Sequence, residues 1–423
     1  MAARTGEVDE AARTALGSAC GEVRDAGDAD HVDGVRPAVV ARPATTQETA
    51  EVMKAAAAHG LAVVARGRGT KMTWGRPPSR ADVIVDVSAM GEVLDHAAGD
   101  LVVNAQAGTR LADVQDVVSA AGQRLAVDET VPGASIGGTV ATATSGPGRV
   151  ATGTMRDLLI GVTVVRADGV VAKAGGRVVK NVAGYDLGKL VTGSYGTLAV
   201  VTEALFRLHP LPAARTFVTV PVPDPSTAYG LVQSVIHAQV VPSAVEVDWP
   251  ADGEGTLSVL LDGIPEGVRG RTSTTLALLG DGAHADDSAP EGWAAYPWST
   301  RTSGDERSTA LKLTFALSAL PEVLAAARDA GVPVHLRGSA GVGVAYGAIA
   351  PEHEPDAVGA AVHRLRSACT RNGGSLVVLD APDRVKQAVD TWGPINGLDL
   401  MRRVKDQFDP DHRLAPGRFV GGI

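Results

Sequence analysis

Short apolar runs alternate along the chain with segments in which apolar positions recur every three to four residues. A run bounded by glycine or charged residues predicts a buried strand, and the longer period predicts a helix packed on one face. The predicted strands cover residues 61–64, 83–86, 101–104, 158–166, 170–174, 196–203, 216–220 and 310–315, and the predicted helices cover 45–60, 111–121, 321–330 and 398–408. Because strands and helices are mixed throughout, we predict an α+β fold.

Cap and turn residues support several of these boundaries. Thr45 and Glu48 have capping-box spacing at a helix start, Gly122 follows the helix at 111–121, and Asp168 with Gly169 predicts a hairpin turn. Residues 1–30 are ambiguous between a loose amphipathic helix and a mobile tail. Residues 265–299 have no clear period and are predicted to be irregular, with acidic residues concentrated at 281–291.

A glycine loop follows the strand at 61–64. Its three cations and one hydroxyl donor are Arg66, Arg68, Lys71 and Thr70. Gly67 and Gly69 have no Cβ, so the backbone can adopt positive φ and bring successive N–H groups close to phosphate oxygens. The pattern is typical of a diphosphate-binding loop, although these residues alone are equally consistent with a cationic surface turn.

A dinucleotide-binding Rossmann loop is the other alternative for this segment. Its Gly-x-Gly-x-x-Gly pattern needs a third glycine where this chain has Met72. Residues 74–79 contain two prolines and a glycine, so no crossover helix is expected directly after the loop. The phosphate hypothesis stands and the Rossmann alternative weakens.

A second segment rich in small residues spans 130–146. Its hydroxyl donors are Ser135, Thr139, Thr142 and Thr144, interspersed with Gly137 and Gly138. Small residues allow a backbone to approach a flat ring or a phosphate closely. The alternative is the tightly packed start of a small-residue helix, which composition alone slightly favours.

Composition and charge exclude several classes of protein. The 423 residues are enough for two or three domains. A formal net charge of −9 argues against a nucleic-acid partner, and two cysteines cannot form a disulfide framework. No signal-peptide core and no run of 18 apolar residues is present. We therefore expect a cytoplasmic protein that associates with a membrane at most peripherally.

Four ordered sequence blocks resemble one flavoprotein superfamily. They are residues 66–70 (Arg-Gly-Arg-Gly-Thr), 135–138 (Ser-Ile-Gly-Gly), 180–187 (Lys-Asn-Val-Ala-Gly-Tyr-Asp-Leu) and 193–198 (Gly-Ser-Tyr-Gly-Thr-Leu), with a fifth at 408–419. In this order they resemble the vanillyl-alcohol oxidase and p-cresol methylhydroxylase superfamily, and within it the FAD-binding E subunit of bacterial glycolate oxidase. Ala415 departs from the common Asn of the fifth block.

The resemblance implies an FAD-binding domain of the p-cresol methylhydroxylase (PCMH) type. This domain consists of two α+β subdomains and is followed by an α+β cap domain. The expected bounds are an N-terminal extension at 1–32, the FAD-binding domain at 33–213, the cap at 214–385 and a returning C-terminal segment at 386–423. The implied FAD-binding residues are Arg66, Gly67, Arg68, Gly69, Thr70, Lys71, Ser135, Ile136, Gly137, Gly138, Thr139, Thr142, Gly146, Tyr185, Val200 and Val201. Val200 and Val201 would approach the adenine.

The flavin is expected to be bound non-covalently. Some members of the superfamily tether it through His or Cys near the diphosphate loop, but residues 64–79 contain neither. His59 is the nearest histidine, and at a helix end it is better explained as a solvated cation that suits the helix dipole. Asp186 is likewise explained as a cap of the following helix.

The cap motif of hydroxy-acid-oxidising relatives has lost its ligands in this chain. Those relatives often carry Gly-His-Ala-Gly-Asp-Gly-Asn-Leu-His, and residues 338–346 read Gly-Ser-Ala-Gly-Val-Gly-Val-Ala-Tyr. Valine and alanine can neither bind a metal nor accept a proton, and a neutral tyrosine does so poorly. We therefore expect no metal site. The catalytic residue is unknown, with candidates Arg337, His335, Tyr346 and Lys312.

Two of the candidates have an ordinary structural alternative. His335 is expected to be structural more often than to meet a substrate carboxylate, and Lys312 fits a surface-facing position of an alternating strand. Arg337 and Lys312 are alternative clamps for a carboxylate.

Three functions remain open. The first is an FAD subunit of a glycolate-oxidase-like complex that oxidises a small 2-hydroxy acid, with a longer flavoprotein subunit and an iron–sulfur subunit as partners. The second is an autonomous FAD-dependent dehydrogenase of another small substrate. The third is a non-catalytic assembly subunit with structural FAD.

Overall fold

The computed structural model describes residues 6–177, 186–300, 302 and 304–423. The chain forms two compact units. The first unit comprises Met1–Thr144, Thr154–Leu211 and Ile395–Ile423, and the second comprises Ser145–Gly153 and Pro212–Pro394. Residues 6–32 lie within the first unit. The domain bounds predicted from the sequence stay a prediction.

Helices and strands are numbered along the chain. The helices are α1 (Glu10–Ala19), α2 (Thr46–Ala58), α3 (Leu111–Ser119), α4 (Ile136–Thr142), α5 (Arg149–Thr152), α6 (Met155–Leu158), α7 (Leu187–Val191), α8 (Pro225–His237), α9 (Pro265–Leu279), α10 (Leu320–Arg328), α11 (Pro355–Thr370), α12 (Asp383–Ala388) and α13 (Leu398–Phe408).

The strands of the first unit are β1 (Val23–Asp25), β2 (Val39–Ala41), β3 (Val63–Arg66), β4 (Val83–Asp86), β5 (Val93–Ala97), β6 (Val102–Gln106), β7 (Gln123–Arg124), β8 (Leu159–Val165), β9 (Val171–Gly175), β10 (Val200–Arg207) and β11 (His209–Pro210). Those of the second are β12 (Ala214–Val222), β13 (Ala244–Trp249), β14 (Gly255–Gly263), β15 (His284–Asp286), β16 (Thr309–Thr314), β17 (His335–Ser339), β18 (Val344–Ile349) and β19 (Ser375–Asp380).

Two main sheets build the first unit. One has the order β1-β2-β4-β3, in which β2, β4 and β3 are parallel and β1 is antiparallel. The other is antiparallel with the order β5-β6-β10-β8-β9. The parallel strands β3 and β4 consist of valine-rich runs that are buried, as expected for strands covered on both faces. Strand β3 ends at the glycine loop.

The C-terminal segment completes the first unit. Val63 of β3 bridges Leu414 in parallel, and the N–H of Ala415 donates to the carbonyl of Val63 at 2.8 Å. Behind this contact, the fully buried Lys405 of α13 forms an ion pair with the equally buried Asp409, with Nζ 2.7 Å from Oδ2. The ammonium also donates to the carbonyls of Thr197 and Leu414, at 2.8 and 3.0 Å.

The second unit is built on one antiparallel sheet with the order β15-β12-β14-β13-β17-β18-β16-β19. Helices α8, α10 and α11 share one buried apolar cluster with alternate residues of these strands, among them Val218, Val245, Leu311 and Leu336. The intervening residues belong to the opposite face of the sheet. That face carries the polar side chains from which the candidate catalytic residues come.

Most predicted elements are present with ends shifted by a few residues. The helix at 398–408 and the strand at 83–86 have the predicted bounds, and Thr45 caps α2 by accepting from the N–H of Glu48 at 3.0 Å. Residues 1–30, left ambiguous, contain α1.

The prediction of irregular structure across 265–299 is wrong for its first half. Residues Pro265–Leu279 form α9, which begins with a proline at its first turn and buries Val268, Thr275 and Leu279. Its sequence has two glycines and many Ser and Thr residues, so neither propensity nor period marks it as a helix. Packing against β12 and β14 stabilises it instead.

Within the described residues, the helices are all too short or too polar to span a bilayer.

Candidate functional site

A cleft of the first unit lies where β3 meets the glycine loop. It holds about 760 Å³ of empty space, part of which is open to solvent. Its lining residues are Ala65, Arg66, Gly67, Arg68, Gly69, Thr70, Lys71, Met72, Val87, Ser135, Gly137, Gly138, Ala141, Thr142, Ser194, Tyr195, Gly196, Ala199, Val200, Val201 and Arg418. The glycine loop, α4, the turn at 194–196 and the start of β10 therefore converge on one space, together with the C-terminal segment.

Close backbone approach in this cleft depends on glycine. A Cβ on Gly67 would lie 2.1 Å from the Ser135 hydroxyl, and a Cβ on Gly137 would lie 2.8 Å from that of Ala107. Gly69 has φ of +74°, a conformation that side chains rarely adopt. Tyr195 also has positive φ, +55°, which is uncommon for a residue with a bulky side chain and marks a strained turn at the cleft.

Helix α4 brings the second small-residue segment to the cleft. Ser135 is its N-cap, and its hydroxyl accepts from the N–H of Gly138 at 3.3 Å. Gly138 and Thr142 line the cleft, whereas Ile136 and Thr139 are buried and do not. Helix α4 is thus the small-residue helix that composition predicted. It is also the backbone that the resemblance predicted to line the cofactor site.

The three loop cations differ in their partners. Arg66 pairs with Asp30 and Asp86, each at 2.7 Å, so two carboxylates neutralise its charge. Arg24 and Arg66 hold the pKa of Asp30 well below its usual range. Arg68 donates through Nε to the carbonyl of Gly108 at 3.0 Å.

Lys71 differs from both arginines. Only 7% of the surface of Lys71 is exposed, and its Nζ is buried without a hydrogen-bond partner among the described residues. Burial lowers its pKa from 10.5 to about 8, and the more distant charge of Glu129 opposes that shift. Arg418 stabilises the same loop, because its guanidinium donates to the carbonyls of Trp74, Lys71 and Met72. The cleft thus contains a buried amine with unused hydrogen-bonding capacity.

The predicted cofactor residues are mostly brought together here. The predicted residues that line the cleft are Arg66, Gly67, Arg68, Gly69, Thr70, Lys71, Ser135, Gly137, Gly138, Thr142, Val200 and Val201. Gly146 lies in the second unit, and Tyr185 lies outside the described residues. Sequence reasoning missed Tyr195, Gly196 and Arg418 as lining residues, although the blocks at 193–198 and 408–419 contained them.

The four candidate catalytic residues share the polar sheet face of the second unit. Strand register aligns Lys312 with Tyr346, Tyr346 with Arg337, and Arg337 with Asp248. His335 lies two residues before Arg337 on β17, and therefore on the same face. The sheet therefore carries a row of two cations, a phenol and a carboxylate.

Asp248 joins two of these candidates. Its Oδ1 lies 2.5 Å from His335 Nε2, and its Oδ2 accepts from Arg337 at 2.7 Å. Burial opposes ionisation of Asp248, but His335 and Arg337 outweigh it and lower its pKa. Arg337 also donates to the carbonyl of Gly292 at 3.0 Å. His335 and Arg337 are thus held by a carboxylate that the sequence did not single out.

Tyr346 has a different environment. Its hydroxyl accepts from Arg149 at 2.9 Å and donates to the carbonyl of Ser145 at 3.4 Å. Burial would raise the pKa of the phenol, but the charges of Arg149 and Lys312 outweigh it, aided by hydrogen bonds from Arg149 and Tyr296. The pKa of Tyr346 therefore lies below its ordinary value of 10.0. The expectation that a neutral tyrosine accepts protons poorly stays a prediction, and it was made without Arg149, which the sequence did not single out.

Aromatic rings surround this phenol. Tyr296 stacks on Trp298 with ring centroids 4.4 Å apart, and both rings pack near Tyr346, at 4.6 and 6.3 Å. No sequence signal linked these residues, since Arg149, the 296–298 segment and Tyr346 are far apart along the chain. No group of three His, Cys, Asp or Glu side chains suited to a metal ion is found in the part of the chain that the structure describes.

Comparison with known proteins identifies the cofactor. Residues 37–175 match the family model of the FAD binding domain, and residues 383–419 match that of the C-terminal domain of FAD linked oxidases. The solved structure of p-cresol methylhydroxylase has the same fold, with a TM-score of 0.74 over 96% of each chain at 16% identity. The chain thus has the predicted α+β fold, which is similar to that of p-cresol methylhydroxylase, and FAD is its cofactor.

The curated relatives are FAD-linked oxidoreductases. One from Mycobacterium tuberculosis strain H37Rv, described as uncharacterised, is 28% identical over 91% of each chain. The glycolate oxidase subunit GlcE of Escherichia coli K12 is 36% identical over 36% of this chain and 43% of its own length. The D-lactate dehydrogenase of Archaeoglobus fulgidus is 32% identical over 49% of this chain and 46% of its own length. The prediction of FAD is confirmed, and the E-subunit identity stays a prediction.

The residues of the first-unit cleft fit FAD. A buried amine without a hydrogen-bond partner among the described residues suits a diphosphate, and the missing Cβ atoms of the glycines leave room for close backbone approach. Lys71, Thr70 and the glycine loop would hold the diphosphate, with Gly138 and Thr142 beside it. FAD supplies two-electron redox chemistry when it is bound.

Replacing Gly138 by valine is expected to weaken FAD binding at least tenfold, a loss of about 1.4 kcal/mol. Its Cβ would lie 3.0 Å from the Ser135 hydroxyl, and the branched carbons would occupy cleft space. Gly230→Val is the matched control, because Gly230 is a helical glycine with no neighbour within 4 Å of its added Cβ. Fluorescence titration with FAD measures both. Equal affinities for the two variants would exclude Gly138 from the cofactor site.

Proposed function

We propose that this chain takes part in the FAD-dependent, two-electron oxidation of a small 2-hydroxy acid. The row of Lys312, Tyr346, Arg337 and Asp248 on one sheet face is the observation that carries the proposal. A 2-hydroxy acid needs cations for its carboxylate and a proton acceptor for its hydroxyl. The row and its neighbours supply both kinds of group.

The proton acceptor has two candidates with different surroundings. His335 has its Nε2 engaged by Asp248 Oδ1 at 2.5 Å, so this nitrogen is not free to accept a proton from a substrate. Tyr346 has Arg149 beside its hydroxyl, which favours its ionised form. Tyr346 is therefore the better acceptor. Tyr346 would take the hydroxyl proton of the substrate, and FAD, when bound, would supply the two-electron oxidation that converts a 2-hydroxy acid into a 2-oxo acid.

A complex is the proposed setting for this reaction. A glycolate oxidase subunit is among the relatives, and the partners would be a longer flavoprotein subunit and an iron–sulfur subunit. Two cysteines in the whole sequence are too few to bind an iron–sulfur cluster in this chain. We place the protein in the cytoplasm. An autonomous dehydrogenase is the second candidate, favoured by the D-lactate dehydrogenase relative. A non-catalytic subunit that keeps FAD for assembly is the third.

Anaerobic mixing of the FAD-loaded chain with a panel of 2-hydroxy acids tests the proposal. Loss of oxidised-flavin absorbance is expected to be about 10²–10⁴-fold slower for the isolated chain than for the chain reconstituted with both partner subunits. The reason is that Tyr346 alone does not replace the His, Asp and Asn groups that residues 338–346 lack relative to the motif of hydroxy-acid-oxidising relatives. Bleaching of the isolated chain within seconds would instead establish an autonomous dehydrogenase. Absence of bleaching in both preparations would leave the assembly role.

A further inference from the structure

Arg149 is a half-buried cation without an acidic partner at contact distance. Its Nε donates to the carbonyl of Gly146 at 2.9 Å, and a terminal nitrogen donates to the carbonyl of Ser145 and to the Tyr346 hydroxyl. Among the described residues, no carboxylate lies within ion-pair distance of it. The buried Arg307 of the same unit, by contrast, pairs with Asp380 at 2.7 Å.

Even partial burial of a guanidinium without a counter-ion is unfavourable, because desolvation of the charge is offset best by an anion nearby. The carbonyls and the neutral phenol that contact Arg149 offset this desolvation cost only in part. Two anions could complete the site: the phenolate form of Tyr346, or a ligand that carries negative charge. A carboxylate is the natural ligand, since its two oxygens match the geometry of a guanidinium.

Three cations lie around Tyr346 among the described residues. Arg149 approaches from α5, Lys312 is its register partner on β16, and Arg337 is its register partner on β17. Arg337 is neutralised by Asp248. Glu246 on β13 contributes Coulombic attraction to Arg149.

The surroundings also suit a desolvated anion. The rings of Tyr296 and Trp298 pack beside Tyr346, and only 7% of the surface of Tyr346 is exposed. Coulombic attraction is stronger in such a shielded environment than in water. A cation held there discriminates strongly between charged and neutral ligands.

We propose that Arg149, with Lys312 as a secondary cation, is the receptor for a small carboxylate ligand in the second unit, and that Tyr346 controls its occupancy by occupying Arg149 when ionised. The identification of the ligand as a 2-hydroxy acid or its analogue rests on the proposed function. The site itself rests on the geometry of the second unit.

The proposal has a definite pH dependence. Neutral Tyr346 leaves the charge of Arg149 available to a carboxylate, whereas the phenolate competes with it. Because the phenolate is also the form that accepts the hydroxyl proton in the proposed reaction, ligand binding and proton acceptance have opposite pH dependences. Ligand affinity is therefore highest below the pKa of Tyr346, which is itself lowered, and falls about tenfold for each pH unit above it. Removing the hydroxyl removes this competition.

Calorimetric titration of the FAD-loaded protein with oxalate, at constant ionic strength from pH 6 to 10, tests the site. Arg149→Met is expected to weaken oxalate binding at least about 30-fold, and Arg149→Lys to weaken it less, because a cation remains. Tyr346→Phe is expected to bind oxalate without the decline at high pH. The control Arg328→Met removes an exposed arginine that lies over Trp249, and should bind like the wild type.

Two outcomes would overturn the proposal: oxalate affinity unchanged in both Arg149 variants, or a decline at high pH that persists in Tyr346→Phe. Absence of oxalate and D-lactate binding by the wild type would overturn it too. Thermal unfolding checks that each variant is folded, and Arg149→Lys remains informative if Arg149→Met is not. Oxalate binding that depends on Arg149, without flavin reduction by any 2-hydroxy acid, would support this site and refute the proposed reaction. Flavin reduction that is unaffected in Arg149→Met would do the reverse.

Discussion

Replacing Lys405 by methionine is expected to lower the free energy of unfolding by about 3–5 kcal/mol, the penalty for leaving one partner of a buried ion pair uncompensated. Both Lys405 and Asp409 have fully buried side chains, and their charged atoms are 2.7 Å apart. The ammonium also satisfies the carbonyls of Thr197 and Leu414. Methionine has a similar volume but no donor, so the variant isolates the loss of the charge and its hydrogen bonds.

The double variant Lys405→Met with Asp409→Asn provides the matched comparison. The second substitution removes the remaining charge. The introduced amide oxygen can accept from one of the N–H groups of Arg413 and Leu414, which donate to separate oxygens of the Asp409 carboxylate. We expect the double variant to recover about 1–3 kcal/mol of the loss. Lys54→Met, at an exposed lysine of α2, should change stability by less than about 1 kcal/mol. Urea unfolding measures all three, and a Lys405→Met variant as stable as Lys54→Met would contradict the account.

Replacing Lys71 by methionine is expected to have opposite effects on the FAD complex and on the apo-protein. FAD affinity should fall about 10- to 150-fold, because a charge-assisted hydrogen bond contributes about 1.5–3 kcal/mol. The apo-protein should be stabilised by roughly 2 kcal/mol, because the substitution removes a buried amine that has no hydrogen-bond partner among the described residues. A residue with a purely structural role would not separate the two measurements in this way.

The pH dependence of Lys71 follows from its lowered pKa. Burial brings that pKa from 10.5 to about 8, so between these values the unfolded chain binds more protons than the folded apo-protein. The stability of the apo-protein attributable to Lys71 therefore rises with pH across this window. The diphosphate favours the charged amine, so FAD affinity should fall as pH rises above about 8.

Titrations of the wild type, Lys71→Met and the exposed control Lys54→Met with FAD at about pH 7 and about pH 9.5, on either side of the lowered pKa, separate these effects. Lys71→Met should lack the additional loss of affinity at the higher pH. If it loses FAD affinity with pH as steeply as the wild type, Lys71 does not face the diphosphate.

Local signals in the sequence were sufficient for much of the first unit. The apolar run before Gly67 predicted β3, and the glycines without space for a Cβ marked the backbone that lines the cleft. Asp186 caps α7 by accepting from the N–H of Lys189, as expected. These features depend on a few neighbouring residues, so their physical causes can be read from adjacent positions.

Features that depend on distant residues could not be predicted in this way. Arg66 looked like a phosphate ligand, but its partners Asp30 and Asp86 come from other segments of the first unit. Arg149 showed no motif of its own, and its significance arises only from its approach to Tyr346. Helix α9 was missed because packing, rather than apolar period, stabilises it. In each case the role of the residue or helix depends on a contact with residues that are distant along the chain, and neighbouring positions give no signal of that contact.

Titration of the purified apo-protein with FAD, followed by denaturation and separation of the polypeptide, tests most directly the central claim that FAD binds non-covalently in the first-unit cleft. The account predicts binding of one FAD per chain in the wild type, weaker binding in Gly138→Val and Lys71→Met, and complete release of the flavin on denaturation. Flavin that stays with the denatured polypeptide, or FAD binding that neither substitution affects, would contradict it.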